Sequence, residues 1–167
     1  SGRNRAEKFG LFLYSFAVWD IFYYVFLNVT LDWPSSLMTW DILFLIPTTW
    51  VGPVIAPVIV SLVMIAFAVI ISVFTSRNIK TKINLVEWSM LIGGSIVLII
   101  GFIYDYIKFM LQFFTFSEIF SPSKLEALMA KAVQYIPVSF PWLIFCVGIG
   151  VISYGIYRFY RRNIAML

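Results

Sequence analysis

Four runs of about twenty mostly apolar residues, at 9–29, 54–74, 86–107 and 138–157, limit what this chain can fold into. About twenty helical residues rise roughly 30 Å, the hydrocarbon thickness of a bilayer. Inside that layer every backbone N–H and C=O has to be paired within the protein. The spacing therefore predicts an all-α integral membrane protein of four transmembrane helices. With 167 residues in all, little chain remains for a separate folded body, so one polytopic domain over 1–167 is expected. Composition agrees: 12% of residues are charged, against roughly 25% in an average soluble domain.

Basic residues near span ends are retained on the cytoplasmic side. Arg3, Arg5 and Lys8 precede the first run, Arg77, Lys80 and Lys82 join the second to the third, and Arg158, Arg161 and Arg162 end the fourth. Lys108, Lys124 and Lys131 fall in the remaining connection. This alternation predicts both termini on the cytoplasmic side of a bacterial inner (plasma) membrane. The same segments carry only Glu7 and Glu87, whereas Asp32, Asp41, Asp105, Glu118 and Glu126 lie on the outer side. The net charge of +4 is then a product of threading. It implies attraction to anionic lipid head groups and does not point to nucleic acid. The first run is longer than the roughly 7–15 apolar residues of a signal peptide and no small-residue cleavage site follows, so it is expected to stay as a helix.

The chain contains no histidine. Histidine-ligated haem, Glu-x-x-His di-iron centres, histidine zinc sites and Ser-His-Asp hydrolysis are therefore excluded for this chain alone. Cys146, the single cysteine, makes no internal disulfide or CxxC pair and reads as a small packing residue. No cofactor held through His or Cys is expected. Bound lipid, quinone or pigment suits the composition, as does a membrane-protein partner or a second copy.

The first outer connection, "LDWPSSLMTWDILFLIPTTWVGPVIAPV", predicts a turn at 32–36 and a short helix over about 37–46. Ten residues rise about 15 Å, so that helix would lie in the interface or re-enter. Trp33, Trp40 and Trp50 suit an interfacial belt, and Pro47, Pro53 and Pro57 interrupt helical bonding as the chain enters the second span. The second, "SPSKLEALMAKAVQYIP", predicts an amphipathic helix over about 123–136, lying on the outer surface or over the bundle mouth. Ser123 and Glu126 have capping-box spacing, and Pro137 would end the helix. Gly94 with Gly101, and Gly148 with Gly155, mark stripes for close helix packing or an oligomer seam; Cys146 and Gly150 form another small-residue pair.

A charge at the middle of a span costs about 2.5–3.5 kcal/mol on insertion scales, which singles out Asp20. No Lys or Arg lies at its depth, so it is expected to be neutral and hydrogen-bonded to a neighbouring helix. Proton relay and ligand contact are the functional alternatives. Asp41 lies nearer the outer interface, and Asp105 is spaced for an ion pair with Lys108. Asp20 and Asp105 differ in depth by roughly 10 Å, too far to share a proton. Glu87 opens the third span, where a carboxylate suits the helix N-terminus. The aromatic cluster Trp19, Tyr23, Tyr24, Trp40, Trp50 and Tyr104 gathers in the outer half with Asp20, Asp41 and Asp105 interleaved. Apolar walls with a few polar groups suit a ligand site, and they also describe an ordinary interfacial belt. The expected function is non-enzymatic: binding a hydrophobic or amphipathic ligand, or acting as an accessory subunit. A proton-coupled transporter or channel using Asp20 and a small lipid-modifying enzyme are the alternatives.

Overall fold

The computed structural model describes residues 5–46, 48–77 and 81–165; Arg3, Pro47 and Lys80 lie outside them. In chain order the elements are helix α1 (Arg5–Leu31), strands β1 (Trp40–Phe44) and β2 (Trp50–Pro53), then helices α2 (Ile55–Ser76), α3 (Leu85–Met110), α4 (Phe116–Ile119), α5 (Leu125–Ala132) and α6 (Trp142–Ile164). Helices α1, α2, α3 and α6 are each long and apolar enough to cross a membrane. Their outward faces remain apolar: Leu62 is 54% exposed and Leu143 80%.

Local chemistry sets the helix ends. Asp32 adopts φ 51° and its N–H donates to the Asn28 carbonyl at 3.1 Å, a left-handed stop that a short polar side chain tolerates. At the start of α3 the Glu87 N–H donates to Asn84 Oδ1, and the Asn84 N–H donates to Glu87 Oε2, both at 2.8 Å. This reciprocal pair satisfies two donors that the first turn leaves unpaired.

Helix α1 packs on α2 and α3 on α6, and the two pairs meet where α2 touches α6. Ala6, Phe67, Ile71, Phe74, Ile156 and Phe159 form one apolar cluster, which brings the start of α1 to the ends of α2 and α6. The Arg162 guanidinium grips buried Glu87 in a fork, with Nε and Nη2 each 2.9 Å from a carboxylate oxygen. It also donates to the Lys82 carbonyl, tying α3 and its preceding loop to α6. A buried carboxylate left without such a partner is strongly destabilising, so the pair fixes this end of the bundle. The described residues Arg5, Lys8, Arg77, Lys82, Arg158, Arg161 and Arg162 therefore gather at one end. The hairpin, α4 and α5 occupy the other.

The α3–α6 contact runs through the glycine stripes. A Cβ on Gly94 would lie 2.9 Å from the Gly148 carbonyl oxygen, and one on Gly148 would lie 2.7 Å from Leu98 Cδ2. Gly155 faces Met90 in the same seam. Gly101 sits more loosely, beside Ile144 and Phe145. All four stripe glycines are thus used within one chain. Cys146, by contrast, is exposed, and Gly150 has nothing within 4 Å of a built Cβ. That pair faces outward and does not pack.

Residues 37–46 do not form the expected helix. Residues 40–44 pair antiparallel with 50–53, with a bulge between Ile42 and Phe44. Aromatic and branched side chains favour the pleated form, and a run this short carries no period that separates strand from helix. The Val54 N–H donates to the Thr39 carbonyl and the Ile55 N–H to the Leu37 carbonyl, extending the ribbon. The fold is therefore four long helices plus one small hairpin. Pro57 does not break α2, because it occupies the first turn, where an N–H has no helical partner to lose. Gly52 allows β2 to press on α3: a Cβ there would lie 3.0 Å from the Phe102 ring and 3.1 Å from that of Phe140.

The second connection is also shorter in helix than expected. A 3₁₀ turn, Pro122–Lys124, leads into α5, which stops at Ala132, well before Pro137. Ser123 caps nothing; its hydroxyl pairs with that of Ser121 at 2.9 Å. The capping box in this region belongs to Thr115 and Glu118, at the start of α4. Leu128 enters a cluster with Val51, Tyr106, Met110 and Ile119, so α5 lies over the end of α3 and β2. Leu125 and Met129 face outward.

Candidate functional site

A cavity of about 470 Å³ opens between α1, the hairpin and α2. Helical spacing places Phe16, Asp20, Tyr23 and Tyr24 on one side of α1, with Trp19 beside them. The hairpin contributes Asp41, Ile42, Leu43, Phe44 and Trp50; α2 contributes Pro57, Val60 and Ser61; Phe102 of α3 closes the space. Rings run along two of its walls. Phe16, Trp19 and Tyr23 follow one another at centroid distances of 5.9 and 6.1 Å. Across the space, Phe44 meets Trp50 edge-on at 5.2 Å, and Trp50 stacks on Phe102 at 6.3 Å.

The polar groups in these walls are few and placed. Ser61 Oγ donates to Asp20 Oδ2 at 2.8 Å, across the α1–α2 contact. Tyr24, one turn beyond Asp20, donates its hydroxyl to Asp41 Oδ2 at 2.9 Å, and the Ile42 N–H donates to Asp41 Oδ1 at 2.8 Å. Neither carboxylate forms an ion pair among the described residues, and no Lys or Arg lines the cavity. The buried Trp50 Nε1 has no hydrogen-bond partner among the described residues. Three His, Cys, Asp or Glu side chains placed to hold a metal ion do not occur among them either.

Asp105 belongs to a separate network. It is buried and accepts from the Tyr135 hydroxyl at 2.8 Å, the Val138 N–H at 3.1 Å and, more weakly, Ser139 Oγ at 3.5 Å. The expected Asp105–Lys108 ion pair is not formed, because the carboxylate turns inward to these donors while Lys108 stays exposed. Burial, and then the hydrogen bond to Asp105, raise the Tyr135 hydroxyl above its usual value near 10. Tyr135 therefore holds its proton as the donor to Asp105 and pins the segment after α5 onto α3. At the surface, the Thr115 N–H and hydroxyl, each 2.9 Å from Glu118 Oε2, hold the Glu118 carboxyl below its ordinary range, with Lys124 adding to the effect.

Of the residues singled out from the sequence, Trp19, Asp20, Tyr23, Tyr24, Asp41 and Trp50 converge on the cavity. Trp40, Tyr104 and Asp105 do not. Trp40 precedes Asp41 in a strand, where successive side chains point to opposite faces, and it meets Phe140 edge-on at 6.5 Å. Tyr104 lies on the outward face of α3 and is 44% exposed. Ser61 and Phe102 are the participants that sequence reasoning missed. Ser61 carried a usable signal: it is the only polar side chain in the first half of α2. Phe102 carried none, being one of 17 phenylalanines. The chain matches no protein-family model, and neither a curated protein nor a solved structure shows significant similarity to it.

Proposed function

We propose that this chain is a non-enzymatic four-span membrane protein that binds one hydrophobic or amphipathic molecule in the cavity between α1, the hairpin and α2. One observation carries the reading: a space of about 470 Å³ with mostly aromatic and aliphatic walls and two carboxylates. Binding pockets typically measure about 300–1,000 Å³ and combine apolar walls with a few placed polar groups. A lipid, quinone or pigment would lay its apolar part along Pro57 and Val60 and its polar part at Asp20 and Asp41. An apolar segment of a companion membrane subunit could use the same walls.

Transport of protons through Asp20 is less favoured. The neighbouring void between the four long helices, about 190 Å³, is lined by apolar side chains apart from Ser95. It offers no titratable step from Asp20 towards the basic end. A lipid-modifying reaction at Asp105 is less favoured because that carboxylate is buried and taken up by donors of its own chain. A photoreactive acyl probe in liposomes tests the binding reading. Label is expected on the cavity-lining parts of α1 and β1. Label confined to outward residues such as Leu11, Leu62 and Leu143 would contradict it.

In this reading the basic end faces the cytoplasm, with both termini inside. On a Cys146→Ser background, Ser123→Cys is expected to react with an impermeant maleimide from outside the cell. Ser76→Cys is expected to react only after permeabilisation. The reverse pattern would overturn the orientation.

A further inference from the structure

We infer that the cavity selects a lipophilic cation, an organic ammonium or similar onium group carried on an apolar body. This inference rests on the binding function proposed above and specifies its ligand class. The charge of the site has one sign. Asp20 and Asp41 both line the cavity, no Lys or Arg does, and neither acid takes part in an ion pair among the described residues. Ser61 occupies only Oδ2 of Asp20, so Oδ1 has no hydrogen-bond partner among the described residues. An acid enclosed by apolar walls is held as the neutral group until a counter-charge arrives, and a cation brought in by the ligand supplies the counter-charge that the protein does not.

The rings carry the second part of the inference. Trp19, Tyr23, Tyr24 and Trp50 stand in the same walls as the two acids. Indole and phenol faces present negative quadrupole density, which attracts an onium group within about 6 Å of a ring and repels an anion. Aliphatic walls of equal area would bind an acyl chain equally well and would not distinguish charge. Aromatic walls combined with uncompensated carboxylates discriminate by sign: an anionic head group is opposed twice, and a neutral one is favoured by neither feature.

The test uses ions of matched shape and opposite charge. The full chain, in a non-ionic detergent, is dialysed to equilibrium against tetraphenylphosphonium, tetraphenylborate or uncharged triphenylphosphine oxide. The cation is expected to bind saturably, one per chain, at least about tenfold more tightly than either competitor. Asp41→Asn, whose one oxygen still accepts from the Ile42 N–H while its NH2 group donates to the Tyr24 hydroxyl oxygen, is expected to weaken cation binding about tenfold and to leave the neutral compound unaffected. Trp19→Leu alters a side chain that is 61% exposed, so the fold should persist, and it is expected to weaken cation binding roughly threefold to tenfold. Equal binding of all three compounds, or preference for the anion, would overturn the cation inference and leave the binding function standing. Should none bind, the cation inference falls, and labelling by the acyl probe separately decides whether the cavity binds at all.

Discussion

At Asp20 the carboxylate accepts a hydrogen bond from Ser61 on the next helix, so an acid deep in an apolar run is partnered across the α1–α2 contact. Removing one side of that bond should cost more than exchanging atoms within it. Asp20→Asn retains an acceptor for the Ser61 hydroxyl and is expected to leave the thermal unfolding midpoint in detergent nearly unchanged. Asp20→Leu orphans the hydroxyl and is expected to destabilise, by about 0.6 kcal/mol and at most about 1.7 kcal/mol, the range found for hydrogen bonds inside membrane bundles. Equal damage from both substitutions would show that charge at Asp20 matters to the fold itself. The polarity of this residue was legible in the sequence, since nothing else charged lies near the middle of a run. Its donor was legible only as the single polar side chain in the first half of α2; that Ser61 would meet Asp20 was not, because one hydroxyl leaves no periodic trace.

Among the elements, the glycines separate two kinds of helix face. Gly94 and Gly148 bring the α3 and α6 backbones together, so an added methyl meets carbonyl oxygen and side chain at distances that require movement. Gly94→Ala and Gly148→Ala are each expected to lower stability by about 1–3 kcal/mol, as overpacking does. Gly93→Ala and Gly150→Ala project into open space and should be neutral or slightly stabilising. Guanidine-free thermal melts of the four variants, read by circular dichroism, would compare them directly; similar melts for all four would remove the close α3–α6 seam. The seven-residue spacing of these glycines was readable because a helix repeats its face at that interval. The hairpin was not readable as a hairpin. Its strands are five and four residues long, and its aromatic, branched and proline content suits a strand only once α3 and Phe140 cover it. The outer segment failed for a related reason. Periodic apolar residues extend to Ile136, but the pull of Asp105 on Tyr135 and the Val138 N–H draws the chain off the helical path.

At the scale of the whole molecule, one end is basic and tied by the Glu87–Arg162 fork, and the other holds a hairpin against a cavity. The four long helices follow from run length alone, since lipid leaves the backbone little other choice. The cavity depends on where short strands set Asp41 and Trp50 against α1, which no local pattern encodes. Its occupancy is the central claim. Native mass spectrometry of the chain extracted in mild detergent, compared with Val60→Phe, tests it most directly, because a larger ring at position 60 projects into the lined space. The wild-type chain is predicted to carry one small-molecule adduct that survives detergent removal, and Val60→Phe, melting near the wild-type midpoint, is predicted to fly bare. Bare mass for both chains, or the same adduct on both, would contradict a ligand in this cavity.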